Sequence, residues 1–504
     1  MAVERHEHQE SNQSDQRKEI ASIPTLQRQN AMSANMDLDA VHDFGSMLAT
    51  NHYLHVDDSD LLVSPHIDSS YIEQVSDAYF KTGFDNVFAE QQNARAHADS
   101  WKDSSIFSTQ VFEKSYFSRE VQSSFLLTPN AIKVLVALGF DFEKARADDM
   151  TYFQVFDGTT LQSLNHTDGS LRDPRDEFGT PLYTLHRNDL VTELLRLAEG
   201  LDVRLGTKVA GVDEAENALV LDNGERHPAD LIVAGDGLHS VLRATVLKDE
   251  TAAVAIPSGL NAFRFMIPTN RLQDDEVFMR LKREVKGKAS CLFCDPTRID
   301  MEHHIVWFTC RNEEMQVFVG IHESDRSNNQ DLKALMLEEF GHYHKDLKHI
   351  ISVASNVTDW PLSYHEPLEN WHRGKIVLTG DAAHPMLPLG AQGACQAIED
   401  AGALHGLINS SVTAADIPAR LVMYEKVRRL RASRTQTLSN VRLGREKDVY
   451  EKLKRYADPP GSAVPTSFEE RFAHDYGFDV YSKCNEVLAT VEDEQSPPLN
   501  DTGA

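Results

Sequence analysis

The stretch Thr379–Gly393, TGDAAHPMLPLGAQG, decides how this chain is read. It follows a short apolar run, Lys375–Leu378 (KIVL), and precedes the helix-like Ala394–Leu404 (ACQAIEDAGAL). A strand, an acidic residue at its end, a proline-stiffened loop and a glycine-opened helix are the parts of a ligand-binding crossover. Asp381 stands where an acidic side chain can hold a sugar-alcohol or ribose hydroxyl, and Pro385 and Pro388 restrict the connection. Gly390 and Gly393 free the helix entrance, where backbone N–H groups and the positive helix end favour negative charge on an electron-rich ring.

Asp230–Arg243 (DLIVAGDGLHSVLR) has a similar form: a buried strand runs into Gly235-Asp236-Gly237 and then a helix-like segment. Glycines on both sides of an acid let backbone approach a ligand, and Asp236 can accept hydrogen bonds from a ribose or from water near a pyrophosphate. Alone, this tripeptide is also a good turn.

The 504 residues suffice for two or three domains. Residues 1–100 are polar, with only short apolar fragments, and read as disordered or foreign to the rest. Residues 101–250 and 361–410 read as two parts of one α/β domain. Residues 251–360 carry alternating stretches such as NAFRFMIP and MQVFVGIH and read as an inserted, mainly β domain with one short helix. Residues 411–490 read as helical and 491–504 as a disordered tail. The helix-like HRNDLVTELLRLAEG and a hairpin at Asp222-Asn223-Gly224 are further landmarks.

A formal net charge of -28 argues against nucleic acid and anionic lipid, which that field repels. The basic KVRRLRASR is then best read as a solvated or salt-bridged helix face. Five cysteines, an odd number, read as reduced thiols of an intracellular, cytoplasmic protein. Cys291 and Cys294 with His303 and His304 suggest zinc only until the strand pattern is noticed, because alternation sends neighbours to opposite faces. No apolar run reaches the ~18 residues of a membrane span and the N-terminus lacks a signal-peptide core, so the chain reads as soluble.

Together these segments resemble the single-component FAD-dependent aromatic hydroxylases of the salicylate hydroxylase type, the group A flavoprotein monooxygenases. The resemblance covers residues 106–450 and rests on the two Gly/Asp motifs, His186–Leu190 (HRNDL) and Ser118–Phe140 (SREVQSSFLLTPNAIKVLVALGF). It implies a glutathione-reductase-type, Rossmann-like FAD domain with an inserted substrate domain and C-terminal helices. It also implies FAD reduction by NADH or NADPH, oxygen capture as a flavin hydroperoxide, and oxygen transfer to a phenolic ring. By the same resemblance, Glu113 binds the adenosine ribose, Arg187 contacts the flavin, and Asp236 with Gly237 belongs to the segment touching FAD and nicotinamide. Asp381 then takes the ribityl chain, Pro385 and Gly390 shape the loop, and Gly393 and Ala394 donate N–H groups to the ring. The phenol-deprotonating base is unassigned, with His384 the weak candidate, and Arg264 is a weak candidate for a substrate carboxylate. Oligomeric state is not indicated.

One expected part is missing. A fold of this kind opens with an apolar strand and G-x-G-x-x-G about 20–30 residues before the ribose-binding acid. Before Gly139 the chain contains only Gly45 and Gly83. Either the N-terminal portion did not evolve with this domain, or the protein is a degenerate relative acting as a non-catalytic binding protein.

Overall fold

The computed structural model describes residues 61–66, 108–114, 123–164, 174–199, 201–250, 254–285, 288–298, 302–323 and 331–495. Most of the polar N-terminal region, Gly200 and residues 496–504 lie outside these.

The two apolar runs that precede the acidic motifs become neighbours in one six-stranded sheet. Its order is His372–Arg373, Ile376–Leu378, Ile232–Gly235, Leu61–His66, Ser108–Glu113, Asp202–Arg204. Ile232–Gly235 and Ile376–Leu378 pair in parallel, as do Ser108–Glu113 and Asp202–Arg204. Strands covered on both faces read as continuous apolar runs, and Val111, Phe112, Ile232, Ala234, Val377 and Leu378 are all buried. The helices Pro129–Ala137, Val241–Leu247, Gly393–Leu407 and Ile417–Leu438 carry residues of the same core.

The central strand departs from a dinucleotide-binding sheet. Leu61–His66 runs antiparallel to both of its neighbours, with Leu61 level with Gly235 on one side and Glu113 on the other. No glycine follows it before Gly83.

The second six-stranded sheet has the order Thr358–Tyr364, Ile256–Pro268, Met315–His322, His304–Cys310, Ala289–Cys294, Tyr152–Asp157. Alternation along each strand separates two faces. Phe263, Phe265, Cys291, Ile305, Trp307 and Phe318 join a core with residues of three helices, Glu276–Glu284, Leu332–Glu339 and Lys345–Val353, where one helix was expected. The other face presents Leu260, Ala262, Ile321 and Leu362 to Leu387 and Leu389 of the Thr379–Gly393 loop. The mainly β region thus lies directly against the loop that decides the reading.

The hairpin at Asp222–Gly224 forms as read: Ala218–Leu221 pairs with Arg226–Pro228, and Gly224 supplies the positive φ of 85°. The C-terminal region comprises Ile417–Leu438, Phe468–Tyr476 and Val480–Gln495 with short turns between. The last of these continues five residues past the expected boundary at 490.

Candidate functional site

Because Ile232–Gly235 and Ile376–Leu378 are parallel and in register, both motifs leave the sheet at the same edge, their strands adjoining where Thr379 N donates to Ala234 O at 2.9 Å. Ligands of open α/β sheets bind outside the carboxyl ends of strands. Gly237 and Gly380 take φ of 76° and 55°, which turns the chain sharply beside each carboxylate. Glu113 ends its strand at the same edge, level with Gly235 across one strand. Two strand spacings put them about 10 Å apart.

Arg243 locks the two motifs together. Its Nε donates to Ala382 O at 2.8 Å and its Nη2 to Asp381 O at 2.7 Å and Gly237 O at 3.1 Å, while Nη1 reaches Leu238 O at 2.8 Å. Asp236 accepts from Ser240 Oγ at 2.6 Å and Leu242 N at 3.1 Å, and Ser240 caps the helix that carries Arg243. Asp236, Asp381 and Arg243 are all buried. Burial raises both carboxyls, Asp381 well above the ordinary range, against the opposing pull of Arg243. Burial likewise lowers the guanidinium to about 10.

The other side of the Asp381 turn is held by Asp400. One carboxylate oxygen accepts from Gly380 N at 2.8 Å and from His384 Nε2 at 2.6 Å, bracketing the turn, and the other accepts from Arg428 Nε at 2.8 Å. Burial acts to raise Asp400, but His384 and Arg428 outweigh it and hold the carboxyl below its usual value. His384 therefore donates to a carboxylate in this buried network. From this fully buried position it brackets the turn.

Next to this lies the entrance of the Gly393 helix. Gly393 is its first residue and Ala394 its second, both buried, so their N–H groups fall among the first four, which lack intrahelical partners. Asn130 Nδ2 donates to Gln392 Oε1 at 3.2 Å and to Glu399 Oε1 at 2.5 Å, and Gln392 Nε2 donates to Thr128 Oγ1 at 3.0 Å. The Thr128–Asn130 segment thus fixes the helix entrance. Pro385 O accepts from Gln436 Nε2 at 2.9 Å. Gly390 ends a tight turn, Pro388–Gly390.

Arg187 opens the helix Arg187–Leu197, whose cap is His186, and is buried. Asp189 on its first turn pairs with Arg311 at 2.8 and 3.0 Å. Arg264, also buried, alternates with Phe263 and Phe265 and so lies on the Leu260–Ala262 face, within the β sheet and away from the strand-end edge. His304, cross-strand from Ile321, shares that face, while Cys291 and Cys294 divide between faces. Burial pushes the His304 imidazole down to about 3, so it is neutral at pH 7.

Arg243, Asp400, Arg428 and Asn130 were not picked out as site residues from the sequence. For Arg243 a signal existed, the Asp-Gly-x-x-Ser-x-x-Arg spacing that brings cap and arginine onto one helical turn. For the others the partners are 16 to 269 residues apart.

Comparison with known proteins gives the family. Residues 148–439 match the family model described as FAD binding domain. The FAD-dependent monooxygenase phomE' of Diaporthe leptostromiformis is 30% identical over 400 residues, covering 76% of this chain and 98% of the relative. A 3-amino-4-hydroxybenzoate 2-monooxygenase of Streptomyces cremeus is 31% identical over 63% of this chain and 76% of the relative. A solved salicylate hydroxylase substrate complex, 23% identical, superposes with a TM-score of 0.56 over 72% of this chain and 90% of its own. The chain belongs to the FAD-binding domain family. Within it, it belongs to the group A FAD-dependent monooxygenases, a class of oxidoreductases whose cofactor is FAD, and its fold is the one that salicylate hydroxylase has.

The residues fit that group unevenly. Two positive-φ glycines, the turn ending at Gly390 and the open helix entrance suit the ribityl and ring end. At the pyrophosphate end, no glycine-rich turn follows a central strand among the described residues, and the central strand runs the wrong way for one.

Proposed function

We propose that this chain hydroxylates a phenolic or similarly electron-rich aromatic small molecule, with NADH or NADPH as reductant and O2 as oxidant. The observation that carries the reading is the pair of strand-end carboxylates, Asp236 and Asp381, bound into one unit by Arg243. Relatives named hispidin-3-hydroxylase, from Neonothopanus nambi, and 6-hydroxynicotinate 3-monooxygenase, from Pseudomonas fluorescens, support ring hydroxylation.

FAD, when bound, supplies the two-electron chemistry and the oxygen activation. In this reading Asp381 holds the ribityl hydroxyls, Asp236 with Gly237 the adjoining segment, Glu113 the adenosine ribose, and Arg187 the ring. The N–H groups of Gly393 and Ala394 stabilise negative charge at the pyrimidine end, reinforced by the helix dipole. Pro385 and Gly390 shape the intervening loop. Leu260, Ala262, Ile321, Leu362, Leu387 and Leu389 exclude water from the side facing the β sheet. Arg264 on that face meets a substrate carboxylate, and neutral His304 accepts a hydrogen bond from a ring hydroxyl. Five buried free thiols suit a reducing intracellular compartment, and among the described residues no helix is long and apolar enough to cross a membrane.

A panel of hydroxylated aromatic acids and neutral phenols, tested for stimulated NAD(P)H consumption and for oxygen incorporation from labelled O2, checks this. Reductant consumption unchanged by every phenol, with FAD bound, would count against it. The second reading, a non-catalytic binding paralogue, is favoured by the absent pyrophosphate turn and the antiparallel central strand. It requires a chain that binds the aromatic ligand without taking up FAD.

A further inference from the structure

The matched family domain ends at residue 439, yet the turn entering the Gly393 helix leans on a side chain beyond that limit. A Cβ built on Gly390 would collide with Arg471 Nη2 and lie 3.0 Å from Ser439 Oγ. The guanidinium fills the space that any side chain at 390 would take. Gly390 is not in the positive-φ region; a Cβ there must instead displace the end of the buried Arg471 side chain.

Arg471 sits on the helix Phe468–Tyr476 and is 1% exposed. Its Nη1 donates to Val441 O at 3.1 Å, and Glu446 and Asp475 lie at 3.5 and 3.7 Å. Nε and Nη2 have no hydrogen-bond partner among the described residues. A buried guanidinium with unsatisfied N–H groups is costly, and Nη2 is the atom set against the turn. The helix does not need this arginine to dock. Phe472 and Tyr476 bury against Met150 and Leu182, and Tyr476 meets Phe178 edge to face at 5.6 Å.

We propose that Arg471 is a positioning residue for FAD binding. From outside the family domain it holds the Pro388–Gly390 turn in the shape that lets the entrance of the Gly393 helix receive the flavin ring. This rests on the reading of the Thr379–Gly393 loop as the flavin site.

The test titrates FAD into the flavin-stripped full-length chain and follows flavin fluorescence for wild type, G390A, R471A, the double variant, R471K and D381A. We expect G390A and R471A each to weaken FAD by about tenfold or more, close to 1.4 kcal/mol. The double variant should bind like R471A alone, because groups in contact are not additive. R471K should recover part of the affinity, which a merely structural loss would not. Wild-type affinity in both R471A and G390A, or losses that multiply fully in the double variant, would overturn the proposal. Should R471A fail to fold, G390A reads the same contact, and wild-type affinity there is equally fatal. Flavin retained by D381A would instead overturn the loop reading beneath it.

Discussion

Arg243 donates to the main-chain oxygen of Asp381 across 138 residues of sequence, at 2.7 Å and in a fully buried setting. Two motifs that each look like ordinary turns are thereby one object, since the same guanidinium also holds Gly237 and Leu238. The Arg243→Met variant leaves these carbonyls and that of Ala382 without their donor. It should lose about 4 kcal/mol of stability, roughly 1 kcal/mol for each of the four carbonyls left without its donor, and lose FAD uptake with it. Urea denaturation checks the first and flavin titration the second. A loss below ~1 kcal/mol, the scale of a single net hydrogen bond, would show that the two motifs are held by other contacts.

Asp381 gives a pH dependence of definite sign in the FAD-free chain. Burial raises its carboxyl well above the unfolded value, so the folded state binds the proton more tightly. Its favourable contribution is complete below the unfolded value near ~3.9 and disappears as pH rises through the raised folded value. The Asp381→Asn variant, which cannot ionise, should therefore gain thermal stability over wild type at pH 7 and lose that advantage near pH 4. An advantage that stays constant across this range would contradict the account.

His384 is committed to Asp400 at 2.6 Å. Its replacement by Asn should impair FAD retention, because the Gly380–His384 turn loses one of its two brackets, while leaving the apparent pKa values of the kcat profile in place. Flavin content and a pH–rate series at saturating FAD measure the two separately. Disappearance of a limb from the profile would show His384 to be the base.

The same contacts explain what could be read from the chain in advance. KIVL and LIVAG were legible because buried parallel strands are continuous apolar runs, and the acids at their ends stand out against them. Gly380 and Gly237 signalled turns because only glycine takes their backbone cheaply. The two helices Glu276–Glu284 and Lys345–Val353 were harder, being short amphipathic segments among strands. The basic run in Ile417–Leu438 was readable as salt-bridged but not as buried: Arg428 and Arg431 are both enclosed against Glu399. Such pairing depends on two helices meeting, which local pattern does not encode. Arg471 was illegible for the same reason.

Arg264 separates substrate recognition from cofactor binding. If it meets a carboxylate, Arg264→Met should raise KM for acidic aromatic substrates by about tenfold to a hundredfold, the worth of one charge-assisted hydrogen bond. Neutral phenols should be unaffected, and steady-state kinetics on matched pairs decide the point. Equal effects on both classes would assign Arg264 to the packing of the sheet.

Whether Asp236 and Asp381 with Arg243 form a working flavin site without the glycine turn is read from the visible spectrum of the purified chain after incubation with FAD and removal of free cofactor. A bound-flavin spectrum is expected in the wild-type chain and none in Asp381→Ala. A wild-type chain that stays colourless, or an Asp381→Ala chain as yellow as wild type, would contradict it.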